Sequence, residues 1–486
     1  MQAKLIIRDE VNVKIEGLAL PERKDLSKKY KFDIPGARHI PAVRLGRWDG
    51  KKAFFQLGGS TYVNLLPEIL PWLVERGYDI DLDDQRDYNT TFEFEEVDEE
   101  TYSHVLWPPG HERAGQPIVL RDYQIEIINR FLGNTQCLQE VATGAGKTLI
   151  TAALSKSVES HGRSIVIVPN KSLVTQTEKD YRNLGLDVGV YFGDRKELGR
   201  THTICTWQSL NSLEKKGKDD SAALARFYEL VLRDVVAVIV DEVHMAKADV
   251  LMGMLSGPMS RIPLRWGLTG TIPKEDFEKY SLTCSIGAVA GHLSASELQS
   301  QGVLANCHVN IVQIVDSVEY TNYQSELKYL LETTGRLDYM AQLVEKMREG
   351  GNTLVLVDRV AAGKALEERI EDAVFVSGAT KGDKRQDEYD EISTSSNKVI
   401  IATYGVAAVG INIPRIFNLV LVEPGKSFVR VIQSIGRGIR KAEDKDFVQI
   451  WDLTSTCKFA KRHLTKRKQF YKDANYPFAV EKGHWQ

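Results

Sequence analysis

The chain has 486 residues, 43% hydrophobic and 27% charged, with a formal net charge of -3. That length exceeds one compact core and points to about three domains, while the composition is that of soluble globular protein and the balanced charge argues neither for nor against nucleic acid. Five cysteines stand singly at 137, 205, 284, 307 and 457, which argues against a zinc ribbon or disulfide framework and suits a reducing cytoplasm. No apolar run reaches the ~20 residues of a membrane helix, and the start of the chain lacks the apolar stretch of a signal peptide.

Residues 1 to about 60 alternate short strand patterns with basic residues, as in Lys4-Leu-Ile-Ile-Arg8 and Val11-Asn-Val-Lys-Ile15. Tyr30 and Phe32 interleave with lysines, and Asp49-Gly50 carries a hairpin signal. Arg47 and Trp48, just before it, suit phosphate contact and base stacking. The competing reading makes Trp48 a core residue and the basic residues a solvated face. Leu65 to Gly77 reads as an amphipathic helix whose regular part starts near Leu70, because Pro67 and Pro71 fit best before or within a first turn. The acidic stretch Asp79 to Glu100 reads as a connector or solvated edge, and Trp107-Pro-Pro-Gly110 continues the linker signals.

Val141-Ala-Thr-Gly-Ala-Gly-Lys-Thr148 follows the run Thr135 to Glu140 and opens the helical pattern Leu149 to Val158. This is the strand–loop–helix setting of a phosphate-binding loop. Gly144 and Gly146 let backbone N–H groups approach oxyanions. Lys147 would bring a full charge to the β- and γ-phosphates, and the Thr148 hydroxyl would hold Mg²⁺. Val141 departs from the pattern, which wants glycine there. Upstream, Gln124 at a helix start can read an adenine edge with two donors and an acceptor, and Arg121 and Tyr123 add charge and stacking.

Beyond the loop, helices alternate with β-rich runs, the pattern of a parallel sheet. Ser164 to Pro169 is a buried strand, and Asn170 caps the next helix. Thr203 to Leu210 reads as a further strand, so Lys171, Thr206 and Gln208 face the ligand-binding edge. Glu214 to Asp220 looks like a surface insertion. Val235 to Val240 is β-branched enough for a central strand and ends in Asp241-Glu-Val-His244. Asp241 is suited to holding Mg²⁺, Glu242 to orienting and deprotonating water, and His244 to linking neighbouring segments. Thr269 and Thr271 end another strand and suit sensing of the γ-phosphate.

After about 280 the pattern restarts, with strands near 307–315, 353–357, 374–377, 398–402 and 417–422 and no second phosphate loop. Thr403 to Asn412 is glycine-spaced after a strand. In Gln433-Ser-Ile-Gly-Arg-Gly-Ile-Arg440, the residues Gln433, Arg437 and Arg440 share one helical face. Such arginines can stabilise charge on a transferring phosphoryl group. The tail, Lys458 to Lys472, is basic with Phe459, Phe470 and Tyr471 interleaved. It reads either as a nucleic-acid track or as a solvated amphipathic helix.

In order and spacing these motifs resemble the superfamily-two helicases and translocases over about 115 to 455. Val141 to Thr148 looks like motif I and Asp241 to His244 like the D-E-x-H form of motif II. Pro169 to Ser172 and Thr206-Trp207-Gln208 look like motifs Ia and Ic, and Thr269 to Thr271 like motif III. Thr403 to Asn412 is similar to motif V and Gln433 to Arg440 to motif VI. Arg44 to Gly50, Thr206 to Gln208, Tyr404 to Val406 and the short end after Trp451-Asp-Leu453 are most similar to the phage UvsW type of DNA helicase.

The resemblance implies an α/β fold with two tandem RecA-like parallel-sheet domains, 110–280 and 281–486, behind a small α+β DNA-gripping domain, 1–100. It implies ATP and Mg²⁺, with nucleotide contacts from Arg121, Gln124, Thr143, Gly144, Ala145, Gly146, Lys147, Thr148, Asp241 and Gly410. Metal would be held by Thr148 and Asp241, and the chemistry carried by Lys147, Glu242, Gln433, Arg437 and Arg440. DNA would touch Arg47, Trp48, Lys171, Thr206, Trp207, Gln208 and Thr403. The implied activity is remodelling of branched DNA (Holliday junctions, forks, D-loops or R-loops) by a monomer in the cytoplasm. A duplex translocase that does not unwind, an RNA helicase and a non-catalytic clamp are the alternatives.

Overall fold

The computed structural model describes the chain except for residues 88–91, 110, 112, 218–220, 246–247, 302–305, 378–379, 381–394, 405–414, 426–446 and 486. It divides into two compact units, residues 1–141 with 146–292, and residues 293–486 together with the loop residues 142–145. No helix among the described residues is long and apolar enough to cross a membrane.

The first unit opens with a four-stranded sheet of β1 (Gln2–Ile7), β2 (Asn12–Glu16), β5 (Ser60–Tyr62) and β6 (Asp79–Asp84), ordered β5-β2-β1-β6. A separate ribbon pairs β3 (Lys31–Asp33) with β4 (Lys51–Ala53). Helices α1 (Leu20–Lys29), α2 (Pro41–Arg44) and α3 (Leu66–Glu75) complete this part. Alternate residues of β1 and β2 are buried, the period-two signature of a sheet with one wet face. Their inward side chains join one core with Phe54, Ile69 and Leu73, and with Met252, Phe277 and Cys284 of the following α/β domain. Ring stacking of Phe32 on Tyr280 at 4.4 Å and the Asn12 amide donating to the Ser256 carbonyl at 2.8 Å fix that docking.

Two local expectations change here. Asp49-Gly50 does not close a tight hairpin. Residues 34–50 join β3 to β4 through a 3-10 turn and α2, and Gly50, at φ 74, returns its carbonyl to the Ile34 N–H at 2.9 Å. Helix α3 starts at Leu66, not near Leu70, with Pro71 inside it. Pro71 there cannot donate to the Pro67 carbonyl one turn back, and its ring crowds that carbonyl. The solvated-edge reading of the acidic stretch holds for Asp79 to Asp84, an edge strand parallel to β1, where Lys4 pairs with Asp83 at 2.9 Å.

The α/β domain of this unit contains α4 (Asp122–Leu132), β7 (Gln136–Val141), α5 (Lys147–Val158), β8 (Arg163–Val168), α6 (Lys171–Asn183), β9 (Val188–Phe192), β10 (Arg195–Lys196) and β11 (His202–Thr206). It continues with α7 (Trp207–Gly217), α8 (Ser221–Leu232), β12 (Val235–Asp241), α9 (Ala248–Ser256), β13 (Leu264–Thr269), α10 (Asp276–Ser285) and β14 (Ala288–Leu293). The strand order is β10-β9-β11-β8-β12-β13-β7-β14. Every residue of β12 is buried, as its β-branched sequence requires. Because β7, β13, β12, β8 and β11 are parallel, their carboxyl ends share one edge, and the site residues collect there. Buried Arg265 of β13 spends its guanidinium on the carbonyls of Leu255, Met259, Ile262 and Ser285 at 2.6–3.2 Å. The run Thr203 to Leu210 is not all strand. The Thr206 hydroxyl accepts the Ser209 N–H at 3.3 Å, and helix takes over at Trp207.

The second unit has α11 (Ala295–Ser300), β15 (Asn306–Ile314), α12 (Tyr323–Glu332), α13 (Thr334–Arg348), β16 (Thr353–Val357), α14 (Val360–Glu367), β17 (Val374–Val376) and β18 (Val399–Thr403). Then come β19 (Asn418–Val422), β20 (Phe447–Ser455), α15 (Lys458–Asp473) and β21 (Phe478–Gly483). Its sheet is parallel throughout, ordered β17-β18-β16-β19-β20-β15-β21. Two buried ion networks tie it together: Arg336 reaches Asp316 at 3.1 Å and Glu423 at 2.6 Å, and Arg467 reaches Asp452 at 2.8 Å. The sequence predicted this class, two parallel-sheet domains behind a small α+β domain, and the chain adopts it.

Candidate nucleotide-hydrolysis site

Strand β7 delivers the glycine-rich loop at the carboxyl edge of the sheet. Gly144 has φ 94 and Gly146 φ 79, backbone that a Cβ would strain. At Gly146 a Cβ would also lie 2.6 Å from the Gln124 amide nitrogen. The glutamine thus packs directly on the loop, while its side-chain oxygen accepts the Arg121 N–H at 3.1 Å. Val141 occupies the position where the motif favours glycine and is an ordinary strand end. Its side chain is buried and its carbonyl accepts from the Lys147 ammonium at 3.3 Å. Helix α5 begins at Lys147 with Gly146 as cap, so its free N–H groups and dipole face the loop.

Lys147 and Glu242 form a buried ion pair, Nζ to Oε1 at 2.9 Å. Glu242 is held at φ 50, a left-handed conformation costing a non-glycine residue about 1–3 kcal/mol and concentrated at functional sites. Its other oxygen accepts the Gly270 N–H at 3.3 Å and lies 3.5 Å from His244 Nδ1. Burial alone would raise the Glu242 carboxyl, but the Lys147 ammonium and His244 outweigh it and bring it down to about 2. Burial also pushes His244 below its ordinary value. The Asp241 carboxylate accepts the Glu242 N–H at 2.9 Å, and His244 Nδ1 meets the Thr269 hydroxyl at 2.5 Å. The D-E-V-H box is thereby bonded to the Thr269-Gly-Thr271 segment, and the buried Thr271 hydroxyl has no hydrogen-bond partner among the described residues.

One participant has no signal in the sequence. Asp180, on α6, accepts a hydrogen bond from the Thr148 hydroxyl, and burial raises its carboxyl above the usual range. Thr148, Asp180 and Asp241 are all oxygen donors, the chemistry that suits a hard divalent cation. The glycine cradle, a lysine at its rim and a buried carboxylate beside it are the parts needed to hold a triphosphate and direct a water at it.

Residues 117–274 match the type III restriction enzyme res subunit family and residues 335–442 match the helicase conserved C-terminal domain. The chain is a superfamily-two helicase. It is 24% identical over 468 residues to the ATP-dependent DNA helicase uvsW of Enterobacteria phage T4, a match taking in 92% of this chain and 89% of that protein. It is also 24% identical over 375 residues to the DNA 3'-5' helicase XPB of Kineococcus radiotolerans, covering 74% of this chain and 64% of that one. In fold it is like the DNA-bound type ISP restriction-modification enzyme LlaBIII, at a TM-score of 0.56 and 14% identity over 87% of this chain and 36% of that one.

The other candidate residues of this helicase are scattered more widely. Arg121 is exposed and bonds the Tyr123 hydroxyl at 2.9 Å. Thr143 is half-buried and Ala145 buried. Exposed Lys171 begins α6, its ammonium 5.7 Å from the Phe192 ring centroid. Gln208 donates to the Pro169 carbonyl at 2.8 Å, which joins the two segments at the sheet edge. The Trp207 ring packs against the domain core, half-buried. Trp48 is half-buried too, its indole N–H tied to the Lys51 carbonyl at 3.1 Å, beside exposed Arg47. Thr403 ends β18 in the second unit. Gly410, Gln433, Arg437 and Arg440 lie outside the described residues.

Proposed function

We propose that this helicase hydrolyses ATP to unwind or branch-migrate branched DNA, acting as a monomer in the cytoplasm. The observation that carries the catalytic part is the buried Lys147–Glu242 pair beside the glycine cradle. Phosphate oxygens arriving in the cradle would compete for the Lys147 ammonium. As Lys147 turns to them, Glu242 loses the charge that holds its carboxyl low and becomes a better proton acceptor for water. Gln124 and Arg121 take the base, and the amides of Thr143 to Gly146 take the phosphates. Thr148 and Asp241 would hold Mg²⁺, which neutralises charge on the β- and γ-phosphates when bound. Gln433, Arg437 and Arg440 are assigned to stabilising the transferring phosphoryl group, and Gly410 to contacting the nucleotide. Arg47, Trp48, Lys171, Thr206, Trp207, Gln208 and Thr403 are assigned to the nucleic acid.

Asp180 enters this reading as a positioning residue. By taking the Thr148 hydroxyl proton it turns that oxygen's lone pairs toward a cation. Loss of such an outer partner typically costs about 10–100-fold in metal affinity. Asp180→Asn should therefore weaken Mg²⁺-dependent binding of a fluorescent ATP analogue by about tenfold and leave its binding in EDTA unchanged. An equal loss in both conditions would make Asp180 merely structural.

The branched-DNA part draws on the likeness to the phage helicase. It is tested with a labelled synthetic four-way junction. The protein should dissociate the junction with ATP and leave it intact with a non-hydrolysable analogue. ATP turnover on duplex without any strand separation would favour a translocase.

A further inference from the structure

Helix α15 has one face that its unit uses and one that it leaves to solvent. Ala460, Leu464, Arg467 and Tyr471 recur at helical spacing and are buried. Arg467 and Tyr471 both anchor on the Asp452 carboxylate, at 2.8–2.9 Å and 2.7 Å. On the opposite face Lys458, Lys461, Arg462 and Lys466 are exposed. The stretch Lys458 to Lys472 contains no acidic residue, so like charges face one another at spacings of three and four. That arrangement destabilises a helix standing alone. A merely solvated helix would gain by alternating acids with its bases, as this one does not.

The face forms one wall of an open groove of about 620 Å³, whose other wall is made by the segments leaving β15 and β20. Lys458, Lys461 and Arg462 line it, together with the hydroxyl residues Ser317, Thr456 and Thr465. Two acids also line it. Asp316 is already committed to Arg336, Ser455 and Trp485, which leaves Glu319 as the acid exposed at the lip. Two amides at the helix start are already used, since the buried Glu326 carboxylate takes the Phe459 and Ala460 N–H groups at 3.0 and 2.7 Å. The groove's attraction is side-chain charge. In this parallel sheet the carboxyl ends of β15 and β20 lie on the same edge as that of β18, where Thr403 sits.

We propose that this groove grips the phosphodiester backbone of duplex DNA. The proposal rests on the reading of the protein as a DNA helicase. Cations with adjacent hydroxyls are the donors that bind DNA phosphates without reading sequence. The groove would hold the duplex while the motor works, adding affinity without touching the chemistry.

The test is anisotropy of a labelled duplex titrated with the full-length protein over a range of KCl concentrations. Each lost phosphate contact removes about 0.9 from the log–log salt slope. Lys461→Glu with Arg462→Glu should flatten the slope by about two and weaken binding at least about tenfold near 150 mM salt. ATP turnover at saturating DNA should stay unchanged, and the concentration of DNA needed to reach it should rise. Lys461→Gln with Arg462→Gln should move the slope in the same direction, which covers any folding defect of the reversal. Lys346→Glu, an exposed lysine on α13, should leave it unchanged. Wild-type slope and affinity in both double variants would overturn the groove. If the wild type itself is stimulated by RNA and ignores DNA, the function reading fails, and the groove's assignment to DNA fails with it.

Discussion

Glu242→Gln should bind nucleotide with near wild-type affinity and turn it over about a hundred- to ten-thousand-fold more slowly, the range that a lost general base supplies. The substitution keeps the shape, the Cβ and hence the left-handed backbone at φ 50. Its single amide oxygen can still accept from Lys147, whereas the Gly270 N–H loses the second oxygen that it meets in the carboxylate. What disappears is a carboxylate able to take a proton. A fluorescent ATP analogue reports the binding and a coupled assay the turnover. Wild-type turnover by this variant would remove Glu242 from the chemistry. Loss of binding together with turnover would make it a structural partner of Lys147 alone.

Lys147→Ala should lose both nucleotide binding and turnover, and it should also destabilise the first unit. Removing one member of a buried pair leaves its partner uncompensated, at a cost of about 3–5 kcal/mol. The sign with pH follows from Glu242. With Lys147 present its folded carboxyl is lowered to about 2, so the pair contributes stability above the ordinary carboxylate range, and that contribution fades as pH falls toward 2. Without Lys147, burial, which works to raise the carboxyl, meets less opposition. The stability deficit of the variant should therefore be larger at pH 8 than at pH 5, read from thermal unfolding midpoints. Adding Glu242→Gln should recover part of it, since the neutral amide needs no counter-charge. A deficit independent of pH and unrelieved by the second change would contradict the pairing.

The residues whose backbone chemistry is most constrained were the most legible. Gly144 and Gly146 adopt the positive φ that a phosphate loop demands. The β-branched run ending at Asp241 is a fully buried strand in the interior of the sheet. Asn170 caps α6 through the Leu173 N–H, as its residue type suggests. Less legible were features set by tertiary contact. Asp180 lies in the polar run Glu178-Lys-Asp180, where nothing distinguishes an acid that meets Thr148 from one that meets water. The docking of the N-terminal sheet depends on Phe54, Phe277 and Met252 sharing one core, a match of shapes with no local signature. Asp49-Gly50 misled because a turn signal gives the bend and not the length of chain between the strands it serves. Trp207 misled because a capping threonine reads equally well as a strand end.

ATP turnover by the purified protein, measured alone and with single-stranded DNA, plain duplex, RNA and a four-way junction, tests the central claim most directly. The account predicts low basal hydrolysis and the strongest stimulation by the junction, with little from RNA. Hydrolysis stimulated by RNA in preference to any DNA, or no hydrolysis under any condition, would contradict it.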